Sequence, residues 1–219
     1  LTVKCSEIRH YAKLQTVVRH FMKTPQNMNE NYQIDYLGDE ENKLMHFIFK
    51  KGTNNLLCVA LNPKEEKNQL EITESLNKLA QFNGYDGWVL CFLNPKITSE
   101  EYTLEKDNSE LNENYLLVGA LLSNDEFNIK TALLCWGEKI EHYDQSFLKQ
   151  SAYKIIRDLE KEELKFVSIG IDKFGNPISV SNSNFNTKFK KFDYNNYLEN
   201  IKKTIKINPE ITIDGIEFK

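Results

Sequence analysis

LLCVALNPKEEKNQLEITESLNKLAQFNGYDGWVLCFLNP, residues 56–95, decides the fold class. It opens and closes on apolar runs, 56–63 and 88–95, and both stop at Leu-Asn-Pro. Pro cannot donate to a β-ladder and keeps the residue before it extended, so both runs read as strands that end at Asn-Pro. Between them, Leu70, Ile72, Leu76, Leu79 and Phe82 form most of one helical stripe, and Asn83-Gly84 supplies the stop. The unbroken apolarity of 88–95 suits a strand covered on both faces. A strand–helix–strand unit of this kind joins parallel strands by a right-handed crossover.

The alternation continues toward the C-terminus. A helix is expected over 111–123, a strand over 129–137 ended by Gly137, a helix over 145–163 and a strand over 164–172. Toward the N-terminus, 44–52 reads as a strand. The short Gly52-Thr53-Asn54-Asn55 link predicts a hairpin between it and 56–63. These elements imply an α/β fold, a three-layer α/β/α sandwich with a mainly parallel central sheet. Residues 1–43 are expected to supply a helix over 6–22 and a polar connection, and residues 44–180 form the α/β core. Residues 181–219 form a polar, basic and aromatic extension packed on the same domain, with a short helix near 194–205 and an edge strand in the tail from 209.

Composition narrows the functional classes. The chain has 219 residues, 40% of them hydrophobic, and a net charge of only −4, so no global field attracts nucleic acid. Its four cysteines, Cys5, Cys58, Cys91 and Cys135, include no CxxC pair, and three lie in apolar runs. Free thiols in a reducing, cytoplasmic setting are expected. No stretch is apolar for the ~18 residues of a membrane span, so no membrane partner is expected. GxSxG, P-loop, GxGxxG and HExxH motifs are all missing, and His10, His20, His46 and His142 have no neighbours at metal-ligand spacing. No metal and no cofactor is expected.

In a parallel sheet the carboxyl ends of the strands share one rim, where open α/β folds bind ligands. That rim carries Asn62, Lys64, Asn94, Trp136, Asp172 and Lys173. For either Asn-Pro pair alone, strand termination is the simpler reading, although an amide can also orient a water or meet a base edge. Residues 181–206 hold six lysines against Asp193 and Glu199, a local charge of 6 − 2 = +4, with Phe185, Phe189, Phe192, Tyr194 and Tyr197 interleaved. That pattern suits single-stranded nucleic acid; the more ordinary reading has the aromatics cover the core.

Leu61-Asn62-Pro63, Thr73, Gly84-Tyr85-Asp86-Gly87-Trp88, Asn114, Trp136-Gly137 and Lys173, Gly175, Pro177 occur in this order over about residues 45–180. Together they resemble the DUF1643 family, a bacterial, archaeal and phage group without an assigned activity. The resemblance adds Thr73 to the site candidates and makes Asn62, within the first Leu-Asn-Pro, the site element. The second Leu-Asn-Pro-Lys becomes a strand end that happens to look alike. Lys64, Phe92-Leu93 and Ser179-Val180 stand where the family usually has other residues, which marks a divergent member. A more distant likeness, at the level of fold, is to the uracil-DNA glycosylase superfamily, and it implies that Asn62 orients an attacking water. The expected function is recognition of a nucleotide, a base or nucleic acid at the rim and the 181–206 segment, with glycosylase-like hydrolysis if the protein is catalytic. The alternative is a catalytically inert protein-interaction module in a phage-related or defence setting.

Overall fold

The computed structural model describes residues 26–29, 34–39, 41–98, 107–123, 125–142, 147–182 and 184–205. The helix expected at 6–22 and the strand expected in the tail lie outside the described residues.

Among the described residues eight strands form one sheet: β1 (Gln26–Asn29), β2 (Ile34–Asp39), β3 (Leu44–Lys50), β4 (Asn55–Ala60), β5 (Gly87–Phe92), β6 (Ile129–Leu134), β7 (Lys165–Ser168) and β8 (Lys190–Lys191). Their order is β1-β2-β3-β5-β4-β6-β7-β8. Four α-helices among the described residues accompany them: α1 (Glu66–Phe82), α2 (Asn108–Leu122), α3 (Phe147–Lys161) and α4 (Tyr194–Thr204). The fold is therefore α/β, as expected. The sheet is mixed, however, rather than mainly parallel. β5, β4, β6 and β7 run parallel, while β1, β2, β3 and β8 pair antiparallel at its two sides.

The polar connection expected before residue 44 contains β1 and β2; β2 pairs along the outer side of β3 and places Leu37 in the core. The hairpin between the first two core strands does not form, because β5 lies between β3 and β4. The 51–54 link instead spans over the start of β5. A Cβ on Gly87 would fall on Asn55 Oδ1 and Gly52 N, and one on Gly52 would meet Gly87 N at 2.5 Å. Only glycine permits this close backbone crossing.

Side chains lock the crossing. Asp86 accepts from Thr53 N at 3.0 Å, Thr53 Oγ1 at 2.7 Å and Asn54 N at 2.7 Å. Asn55 is fully buried; it accepts from Gly52 N at 2.8 Å and donates to Gly52 O at 3.0 Å and Phe127 O at 2.6 Å. The link thus gains in side-chain bonds what it lacks in ladder bonds.

Strand alternation divides the core in two. Leu57, Val59, Val89, Cys91, Ala132 and Leu134 meet Val118 of α2, Ile155 of α3 and Leu198 of α4 on one face. Leu56, Cys58, Trp88, Leu90 and Leu133 meet Leu76 and Leu79 of α1 on the other. Cys58, Cys91 and Cys135 are free and buried; burial pushes the Cys135 thiol up to about 12.

The hydrogen bonds from Thr53 and Asn54 hold the Asp86 carboxyl well below the usual carboxylate range. Its ionised form therefore stabilises the fold fully above the unfolded-state value near 3.8, and that contribution is lost as pH falls toward the folded-state value. Asp86→Asn is expected to lower the melting temperature at pH 7. The gap to wild type should narrow as melts are repeated below about pH 4. A gap independent of pH would contradict the ionised carboxylate's role.

Candidate functional site

Beyond the carboxyl ends of β6 and β7 lies a cavity of about 470 Å³. Ser168, Gly170 and Ile171 line it from the end of β7, and Phe174, Gly175 and Asn176 from the loop that follows. Lys190, Lys191, Phe192 and Asp193 line it from β8 and its continuation. Asn196, Tyr197, Asn200, Ile201 and Thr204 come from α4, Glu141 from a 3-10 turn after β6, and Lys149 from α3.

Local sequence explains how these groups are presented. After Trp136 the chain turns at Gly137, whose φ of +77° suits glycine, and Gly137 N donates to Pro177 O at 2.8 Å. The 3-10 turn Glu138–Glu141 follows and delivers Glu141. After β7, residues 171–177 fold back on themselves. Asp172 N donates to Asn176 O at 2.9 Å, Ile171 bridges Pro177, and Gly175 takes φ +86° at the tip. Asp172 Oδ1 accepts from Phe174 N at 2.8 Å and Asn176 N at 2.9 Å, which fixes the loop. α4 begins at Asp193, which caps Asn196 N at 3.1 Å.

One polar chain ties these elements together. Trp136 Nε1 donates to Tyr197 OH at 3.1 Å, and Tyr197 OH donates to Asn176 Oδ1 at 3.1 Å. Asn176 Nδ2 donates to Glu141 Oε1 at 3.1 Å, and Lys149 Nζ to Glu141 Oε2 at 2.6 Å. Trp136, Asn176 and Tyr197 are all buried. Burial raises the Tyr197 phenol above its ordinary value, so it stays neutral and serves as the donor that Asn176 requires. The floor of the cavity is thereby cross-linked by hydrogen bonds, while its mouth is open and mixed. Ile171 and Phe174 are 62% and 55% exposed, and Lys190 and Lys191 are exposed beside them.

The residues singled out from the sequence are distributed as follows. Trp136 and Asp172 belong to this framework, Trp136 through Tyr197 and Asp172 through the Asn176 backbone. Lys173 is exposed at the loop tip with Nζ 4.9 Å from the Phe174 ring centroid. Asn62 and Asn94 are buried at the ends of β4 and β5, each engaged in its own turn. Asn62 Nδ2 donates to Pro63 O at 2.9 Å, with Lys64 Nζ 3.4 Å from its Oδ1, and Asn94 Oδ1 accepts from Lys96 N at 2.8 Å. Thr73 is buried inside α1 and donates to Leu70 O at 2.8 Å. None of these seven residues lines the cavity itself.

Glu141, Lys149, Asn176 and Asn200 escaped sequence reasoning. Asn176 had a signal, as the residue between Gly175 and Pro177; Glu141 and Lys149 had none. In the 181–206 segment, Phe192 and Tyr197 are buried and Tyr194 stacks on Phe166 at 4.4 Å, so most of its aromatics serve the core. Among the described residues no cluster of His, Cys, Asp or Glu is arranged to hold a metal ion, and no helix is long and apolar enough to cross a membrane.

A second buried polar pair lies at the end of β5. His46 is the extra residue of a β-bulge, since Leu37 faces Phe47 while Gly38 faces Met45. Asn114 Nδ2 donates to Phe92 O at 2.8 Å, which turns its Oδ1 toward His46 Nδ1 at 3.2 Å. With Asn114 Oδ1 as the acceptor, His46 Nδ1 is the donor of this pair.

No family model, no curated protein and no solved structure matches the chain.

Tyr197→Phe removes the acceptor of Trp136 Nε1 and the donor to Asn176 Oδ1. Leaving buried polar groups unpaired costs about 1–3 kcal/mol each, so a loss of roughly 2 kcal/mol or more is expected in urea unfolding. An unchanged midpoint would show that the chain of bonds does not hold the cavity floor. Burial also holds the His46 ring below its ordinary value near 6.5. The unfolded chain takes up that proton first as pH falls, so stability is fully present above about pH 6.5 and declines below it. His46→Gln is expected to flatten this part of the stability–pH curve between pH 7 and 5, measured by urea titration.

Proposed function

We propose that this chain binds a nucleotide in the cavity at the carboxyl ends of β6 and β7. The observation that carries the reading is the mixture of groups around one opening of about 470 Å³. Small-molecule sites typically occupy about 300–1,000 Å³. Phe174, exposed at the mouth, offers a face for a base, and the amides of Asn196 and Asn200 offer donors and acceptors for its edge. The exposed Lys190 and Lys191 supply the positive charge that a phosphate needs. Trp136 and Asp172 act as positioning residues, through Tyr197 and the 172–176 loop respectively.

The same reading agrees with the expectation of base or nucleotide recognition at the strand ends; the DUF1643 resemblance, to a group without an assigned activity, leaves the ligand open. It is a reading of binding rather than of hydrolysis. Binding is favoured over glycosylase-like hydrolysis because the Asn62 amide is buried and turned to Pro63 O and Lys64 Nζ within its own turn. We also take the architecture as a three-layer α/β/α sandwich, supported by apolar clusters on both sheet faces, and the setting as cytoplasmic, supported by three free buried thiols. An inert interaction module would leave the cavity without a ligand and keep its contacts when the cavity lysines are changed.

Isothermal titration with nucleoside mono- and triphosphates tests the proposal. Binding is expected, with a loss of about tenfold or more in the Lys190→Ala/Lys191→Ala double variant, since charge-assisted bonds are worth roughly 1.5–3 kcal/mol each. Phe174→Ala should weaken nucleotides more than inorganic phosphate. Absence of binding by every nucleoside and nucleotide tried would overturn the reading.

A further inference from the structure

We propose that the surface leading to this cavity is a track for single-stranded nucleic acid, which delivers a terminal nucleotide to it. This rests on the nucleotide reading of the cavity and names the larger partner. Three observations converge on the stretch between the C-terminal end of α1 and β8.

The first is charge. Between Asp172 and Asp193 the chain carries Lys173, Lys188, Lys190 and Lys191 and not one acidic residue, within a protein of net charge −4. Such local asymmetry concentrates positive potential that the whole molecule lacks. A phosphate backbone is the partner that complements it.

The second is the pairing of exposed rings with ammonium groups. Phe82 and Phe185 are 39% and 40% exposed, two of the four large apolar side chains exposed among the described residues. Lys188 Nζ lies 4.5 Å from the Phe82 centroid and Lys78 Nζ 5.2 Å from that of Phe185. Lys78 and Phe82 are one helical turn apart on α1, so the two rings and two lysines share one patch. Stacking of bases on such rings, with phosphates met by the neighbouring lysines, is the general mode of sequence-tolerant single-strand binding.

The third is continuity. Asn83, just past α1, clamps the extension in place. Its Nδ2 donates to Thr187 O at 3.0 Å, and its Oδ1 accepts from Phe189 N at 3.0 Å. Phe189 then packs on Tyr85 with ring centroids 6.1 Å apart. The next two residues are Lys190 and Lys191, which pair with β7 and line the cavity. The patch and the cavity mouth are thus joined by one short, fixed, acid-free run of chain.

Fluorescence anisotropy with a labelled oligodeoxythymidine of about ten nucleotides tests the track. The intact protein is expected to bind the single strand more tightly than the same length of duplex. Its Kd should rise roughly twentyfold between 50 and 200 mM salt, as about three phosphate contacts require. Phe82→Ala/Phe185→Ala and Lys78→Glu/Lys188→Glu should each weaken the oligonucleotide by about tenfold or more, on the scale of one stacked base. Both should leave mononucleotide binding in the cavity unchanged. Because Phe82 and Phe185 are exposed, the melt of the aromatic double variant is expected to match wild type; Lys188→Glu also gives up the bond of Lys188 Nζ to Phe82 O at 2.9 Å, so a small lowering of the melt is expected of the lysine double variant. Oligonucleotide binding that is absent, equal for duplex, or insensitive to both double variants overturns the track, and intact mononucleotide binding then leaves the cavity reading standing. Loss of both ligands in the unaltered protein overturns the two together.

Discussion

The crossing of the 51–54 link over the start of β5 is the constraint on which the remaining architecture depends. Gly52 and Gly87 bring two backbones into contact that any side chain would separate. Asp86 and Asn55 then satisfy the amides that the crossing takes out of the ladder. With β5 seated between β3 and β4, β4 is left free to take β6 as its other parallel neighbour. The four parallel strands that follow from this set the single carboxyl edge at which ligands bind in such sheets. β3, running antiparallel, closes one flank, and its bulge at His46 turns that ring toward Asn114 of α2.

At the opposite flank the same edge is finished by later segments. β7 is short, and its continuation folds into the 171–177 loop, against which Gly137 docks. The C-terminal extension then adds β8 and α4, and Tyr197 from α4 joins Trp136 of the β6 end to Asn176 of the loop. A cavity arises because four separate segments approach one another without filling the space between them. Its floor consists of polar groups that satisfy one another, and its mouth of groups that are exposed. That division is what a binding site needs, since the hydrogen-bonded groups below are already ordered when a ligand meets the exposed ones above.

Much of this order was legible in the chain. The helix stripes ending at Phe82 and Leu159 and the apolar runs ending at Asn62, Asn94 and Gly137 fixed element type and position, because burial on one or both faces imposes a period on the sequence. β1 and β2 hold few apolar side chains, and Tyr36 and Leu37 of β2 are adjacent rather than alternating, so neither strand left a clear period although Leu37 is buried in the core. The rim was also legible, because chain direction places all parallel strand ends together. Which part of the rim opens into a cavity was not. Asn62 and Asn94 have the same local sequence signature as a site residue would have, yet each uses its amide within its own turn.

The sequence by itself determined the α/β class, the bounds of β3 to β7 and of the four helices within a few residues, the burial of Cys58, Cys91 and Cys135, and the basic, aromatic character of the extension. These follow from local periodicity and composition, which act over a few residues. Only the tertiary structure decided the strand order, the mixed sheet and the grouping of Glu141, Lys149, Asn176 and Tyr197. These residues are up to 56 positions apart, 197 − 141, and meet because β7, the loop after it and α4 pack against one another. Such meetings are set by which apolar faces cover which, and no short stretch of sequence encodes that choice.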